Sequence, residues 1–136
     1  ARTEWTGDLF NGSGTTTLAS GVGTFSVNWK ARSEGADATT TPEELLAAAH
    51  ASCFSMALSN GLAGAGTPPT SLTTDARVTF KPGEGITAIE LAVVGVVPGI
   101  DAETFSAAAT EAKANCPVSQ ALRAVPISLV EATLAP

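Results

Sequence analysis

Tyrosine is absent from these 136 residues, and all aromatic residues together make up only 5%. A core with so few rings must be filled by Ala, Val, Leu and Ile, which suits close helix packing more than aromatic stacking. Basic residues are scarce too: seven Lys and Arg stand against thirteen Asp and Glu, for a formal net charge of −6. Nucleic-acid binding rests on phosphate neutralisation, so this balance argues against it. The start shows no positive-then-apolar leader, and no apolar stretch reaches membrane-spanning length without a break. A cytoplasmic chain with no membrane partner is the expectation. Cysteine occurs twice and histidine once. In a reducing compartment two cysteines are more often reduced, redox-active or inert than permanently bridged.

What is present points to a globular protein. Hydrophobic residues are 44% and charged residues 15%, and the length suits a single domain over residues 1–136 with a real core. The chain is organised around residues 41–59. Thr41 suits an N-cap, Pro42 the first helical position, and Glu44 completes a capping box. Ala, Leu, Met and Phe then dominate up to Gly61, the expected stop. A helix apolar on most sides belongs in the middle of a protein or in an interface. Set in it are Glu43, His50 and Cys53.

Around that helix the pattern predicts grouped strands and helices. Residues 2–30 read as three strands: 2–10 before the hairpin signal Asn11-Gly12, then 15–19, then 25–30 continuing to Arg32. Residues 35–40 form a polar loop. Residues 72–80 alternate as a strand, and 86–97 read as a more central one. Asp101 caps a helix over about 102–114. Cys116-Pro117 restarts a short one through Arg123, and 127–134 make a last strand. The order βββ-α-ββ-αα-β predicts an α+β fold with antiparallel sheets.

Each candidate side chain carries two readings. Cys53 lies about three turns into its helix, beyond the reach of the dipole, and burial would raise its pKa. It is either a small buried hydrophobe or a reactive thiol that needs a cation from elsewhere. Cys116 sits at a helix N-cap, where unpaired N–H groups favour a thiolate, or it merely tolerates the position. His50, three residues before Cys53, is read as packed and hydrogen-bonded. A Cys-His nucleophile pair lacks an orienting third group, and a zinc site of His50, Cys53 and Cys116 lacks a second histidine or a C-x-x-C. Arg32 is a solvated strand-end arginine or a guanidinium reaching toward the helix thiol. Glu43 either decorates the helix dipole or has a partner.

The run Thr41-Pro42-Glu43-Glu44-Leu45-Leu46-Ala47-Ala48-Ala49-His50-Ala51-Ser52-Cys53-Phe54-Ser55-Met56-Ala57-Leu58, with Pro98-Gly99-Ile100-Asp101 and Asn115-Cys116-Pro117-Val118-Ser119, closely resembles the OsmC/Ohr family of peroxide-reducing proteins. The match covers nearly the whole chain and is nearer to the OsmC branch. Thr41 stands where the family often has Asn, and both cap. The loop over residues 35–41 is slightly long, which loosens the placement of Arg32. The resemblance implies antiparallel sheets packed around two central helices in an intertwined homodimer. It also implies a cofactor-free, metal-free thiol peroxidase serving oxidative and osmotic stress defence. In that reading Cys53 is the peroxidatic thiol and Cys116 the resolving thiol. Arg32 activates Cys53, and Glu43 positions Arg32. Cys53 becomes a sulfenic acid and condenses with Cys116 to a disulfide. An external thiol, a dihydrolipoyl protein in the Ohr branch, then reduces it.

Helix geometry adds one expectation. Glu43 and Cys53 are ten residues apart, so roughly 15 Å along a straight helix and on different faces. One arginine cannot easily touch both. An antiparallel pair of these helices about an axis near Ala48 would set Glu43 of one protomer level with Cys53 of the other. Phe54, Met56 and the alanines around Cys53 predict an apolar pocket, suited to alkyl hydroperoxides at least as well as hydrogen peroxide. The competing readings are a non-enzymatic module that binds an apolar ligand, its cysteines structural, and a zinc or cysteine hydrolase site.

Overall fold

The computed structural model describes residues 1–35 and 38–136. Two residues of the expected polar loop, 36 and 37, therefore lie outside the described residues. The chain opens with an antiparallel sheet of β1 (Arg2–Thr6), β2 (Ser13–Thr17) and β3 (Thr24–Val27), in the order β1-β2-β3. The first strand stops well short of residue 10. The Asp8 carboxylate takes the backbone N–H groups of Phe10 (2.9 Å) and Asn11 (3.0 Å), which turns the chain before Asn11-Gly12 is reached.

The third strand also ends early. The Asn28 side chain accepts from the Ala31 N–H at 2.7 Å, capping a short helix, α1 (Trp29–Glu34). Arg32 thus stands on a helix and not at a strand end, which corrects the expected order to βββ-αα-ββ-αα-β.

The long helix α2 (Pro42–Gly64) begins where the sequence placed it, with the Thr41 hydroxyl accepting from the Glu44 N–H at 3.0 Å. Only half of the capping box forms, because the Glu44 carboxylate accepts from the Thr40 hydroxyl instead. The helix runs through Gly61 and closes one turn later, where the Thr67 N–H reaches the Leu62 carbonyl and Gly66 turns at φ 82°. Against the expectation from sequence, α2 is long and apolar enough to cross a membrane by length and composition, a test that core helices also pass. Its buried residues Glu43 and His50, and its packing on strand and helix, make it the central helix of the fold.

The second sheet contains β4 (Ser71–Lys81), β5 (Gly85–Val96) and β6 (Ile127–Leu134), in the order β4-β5-β6. β4 and β5 are antiparallel, but β6 runs parallel to β5, so the expectation of wholly antiparallel sheets is corrected. The reason is the connection. α3 (Ala102–Asn115) and α4 (Pro117–Ala121) form a crossover that carries the chain back to the end of the sheet where β5 began.

α2 packs on β4 and α3, and α3 packs on β6. Phe54, Leu58 and Leu62 of α2 meet Leu91 and Val93 of β5 and Phe105, Ala109 and Ala112 of α3 in one buried cluster. Gly95 belongs to this arrangement, since a Cβ there would lie 2.5 Å from the Phe105 ring. The first sheet has no such cover. Every residue of β1 is exposed, as are Leu9, Phe10 and Val22.

Candidate active site

The core positions two sulfurs. Phe54 and Leu58 fix the rotation of α2, and this leaves Cys53 partly exposed at the edge of the cluster. Phe105 and Ala109 anchor α3, which delivers Cys116 to the start of α4, fully buried. The two free thiols, distant in sequence, lie near each other.

Their surroundings differ. Burial pushes the Cys53 thiol above its ordinary value; the Val118 N–H opposes this, and neighbouring Cys116 adds to it. Burial also acts to raise Cys116. There, however, the Ser119 N–H, the Cys53 thiol, the Ser119 hydroxyl and the Val118 N–H together hold the thiol below its ordinary value. Cys116 holds the N-cap position of α4, though its side chain makes no cap hydrogen bond there. No cation acts on Cys53 among the described residues of its own chain.

Arg32 is elsewhere. Its Nε and Nη2 donate to Glu43 Oε1 at 3.0 and 2.8 Å, and the guanidinium lies over the Phe80 ring, 4.2 Å from its centre. Phe80 in turn meets Trp29 edge-on. A carboxylate from α2 and a ring from β4 thus hold one guanidinium on two sides. Arg32 and Glu43 of one chain are joined, and Cys53 of that chain is not in the group.

His50 is packed and hydrogen-bonded, as the sequence suggested. Its Nε2 lies 2.7 Å from Ser119 Oγ, and its Nδ1 is buried with no partner. Burial pushes its pKa down, so the ring is neutral near pH 7. It does not act on Cys53, and the nucleophile–base pair of a cysteine hydrolase is not formed. No three His, Cys, Asp or Glu side chains come together as a metal-holding group among the described residues.

Neighbours in sequence prove not to be neighbours at the pocket. Phe54 is wholly in the core, while Met56 is 68% exposed on another side of α2. A groove of about 650 Å³ lies instead between α2 and α3, lined in part by Ala57, Leu62, Ala108, Ala112, Asn115 and Pro117. It starts one turn beyond Cys53 and reaches both neighbours of Cys116.

Residues 16–130 match the family described as OsmC-like protein. The chain belongs to the OsmC-like family. A relative from Escherichia coli K12, named peroxiredoxin OsmC, is 48% identical over 124 residues, covering 88% of this chain and 86% of its own. The peroxiredoxin OsmC of Shigella flexneri matches equally well. Among solved structures, an organic hydroperoxide resistance protein from Elizabethkingia anophelis superposes with a TM-score of 0.75 at 26% identity, covering 98% of this chain and 94% of the other. The organic hydroperoxide resistance protein OhrB of Bacillus subtilis shares the fold, with a TM-score of 0.66 at 24% identity over 98% and 96% of the two chains.

Within this OsmC-like site, two contributors were not singled out from sequence. Ser119 stands in the Cys116 motif, but only the fold shows that its hydroxyl pairs with His50. Phe80 shares the inward face of its strand with Ala76 and Val78, and that alternation was the signal available.

Proposed function

We propose that this protein is a thiol peroxidase that reduces organic hydroperoxides, with Cys53 as the peroxidatic and Cys116 as the resolving thiol. The observation that carries the reading is the nearness of the two sulfurs, 63 residues apart in sequence. The names of the Escherichia coli and Elizabethkingia anophelis relatives support it. The Cys53 thiolate attacks the O–O bond of the hydroperoxide. It becomes a sulfenic acid, and the alcohol leaves with a proton. Cys116 then displaces the sulfenic oxygen as water, forming a disulfide. An external dithiol, such as a dihydrolipoyl protein, returns both thiols to the reduced state. Sulfur carries the electrons throughout, so no cofactor is needed. The small apolar wall of the groove between α2 and α3 suits an alkyl substituent.

The working unit in this reading is a cytoplasmic, intertwined homodimer with composite sites. Arg32, held by Glu43, belongs to one protomer and faces Cys53 of the other. Three observations favour this. Arg32 is committed to Glu43 of its own chain. Among the described residues of its own chain no cation acts on Cys53, and burial raises it. The first sheet and Met56 leave apolar side chains uncovered. An opposite charge at contact distance would lower the Cys53 pKa by about 1–3 units.

Intact mass before and after one equivalent of tert-butyl hydroperoxide tests the chemistry. The wild type is expected to lose two hydrogens, Cys116→Ser to gain oxygen on Cys53, and Cys53→Ser to consume no peroxide. Undiminished consumption by Cys53→Ser would overturn the assignment.

A further inference from the structure

We propose that His50 and Ser119 are positioning residues for Cys116: His50 fixes the Ser119 hydroxyl so that it donates to the Cys116 sulfur and keeps that sulfur ready to attack oxidised Cys53. This rests on the reading of Cys116 as the resolving thiol.

The geometry sets the direction of the hydrogen bonds. His50 and Cys116 have no exposed surface and Ser119 has 5%, so water does not compete. His50 Nδ1 has no partner, whereas Nε2 lies 2.7 Å from Ser119 Oγ. A buried N–H left unpaired is rarer than a buried acceptor left unpaired. The hydrogen therefore sits on Nε2 and is given to Ser119 Oγ. With its oxygen accepting from His50, Ser119 turns its own hydrogen to Cys116. Ser119 is the third residue of α4 after Cys116 at its N-cap, the spacing that sets an N3 side chain beside the cap residue, and its hydroxyl is among the groups that favour the Cys116 thiolate. The arrangement links α2, which carries both His50 and Cys53, to α4, which carries Ser119. Among the described residues, the titratable groups facing Cys116 are Cys53 directly and His50 through Ser119, both on α2. Lys113 of α3 turns away to the Ile127 carbonyl.

The step served is the displacement at Cys53. The Cys116 sulfur attacks the sulfenic sulfur, the S–S bond forms and the S–O bond breaks. The proton given up when Cys116 ionises is restored to the departing oxygen as water. Without the Ser119 hydroxyl, less Cys116 is thiolate at neutral pH. The higher pKa makes the remaining thiolate somewhat more nucleophilic, which recovers part of the rate.

The experiment is rapid-mixing kinetics of the full-length protein with tert-butyl hydroperoxide from pH 5 to 9. It follows sulfenic acid formation at Cys53 and disulfide formation separately. For Ser119→Ala the pH midpoint of disulfide formation should rise by about one unit. Near pH 7 the ratio of disulfide formation to sulfenic acid formation should fall about threefold. Over-oxidation of Cys53 to the sulfinic acid should increase. Ser119→Thr and His50→Gln, which keep the hydroxyl and a donor, should restore the wild-type midpoint, and His50→Leu should not. Thiolate ultraviolet absorbance in the Cys53→Ser background, with and without Ser119→Ala, should show the same upward shift. Should Ser119→Ala fail to fold, the His50→Gln and His50→Leu pair reads the same midpoint. An unmoved midpoint in a folded Ser119→Ala or His50→Leu variant overturns the proposal. Absence of any sulfenic acid at Cys53 in the wild type instead overturns the peroxidase reading.

Discussion

Burying the lone histidine has a consequence for stability as well as chemistry. His50 has no exposed surface, and desolvation lowers its pKa from the ordinary 6.5. The unfolded chain binds a proton near pH 6.5, while the folded chain resists it. Below that pH the unfolded state holds more protons, so stability falls as pH falls and levels off above about 6.5–7. Thermal unfolding from pH 7 to 5.5 should therefore show a steeper loss of Tm for the wild type than for His50→Gln. Equal slopes would mean that another group governs that window.

At the scale of elements, the path of the chain is set by small local choices. Asn28 converts a strand end into a helical turn and so moves Arg32 onto Glu43. The paired helices α3 and α4 return the chain for a parallel β6 and bring Cys116 under α2. Gly95 lets α3 sit close to the sheet, because only a hydrogen fits between β5 and the Phe105 ring. A Cβ at Gly95 would also lie 3.0 Å from Leu72 Cδ2. Gly95→Ala should destabilise the fold by about 1–3 kcal/mol through overpacking. Chemical denaturation checks this, and an unchanged midpoint would show that α3 can shift at no cost.

For the whole molecule, composite sites predict complementation between inactive variants. Arg32→Ala should be nearly inactive for want of the cation, and Cys53→Ser for want of the sulfur. A mixed dimer of the two places intact Cys53 against intact Arg32 at one of its two sites. Hydroperoxide turnover per mixed dimer should approach half of the wild-type value. If each protomer were self-sufficient, the mixture would stay inactive. The first sheet bears on the same point: β1 is exposed throughout and β2 buries only Gly14 and Thr16, so the sheet is marginal by itself, and a second copy is the cover that the proposed composite site would supply.

Much of this protein is written locally. The cap at Thr41, the long apolar run behind it, the Asp101-capped α3 and the alternation of β4 each follow from side chains within a few residues of one another. What needed the tertiary structure involves partners far apart in the chain, or competition between two local options. Whether residues 29–34 extend or coil turned on the cap supplied by Asn28. The direction of β6 turned on how the crossover packs. The union of Arg32 with Glu43 and Phe80, and of His50 with Ser119 beside Cys116, depends on helix rotation set by the core. Local patterns specify which face of an element is apolar; only packing those faces together decides which polar groups are left facing each other.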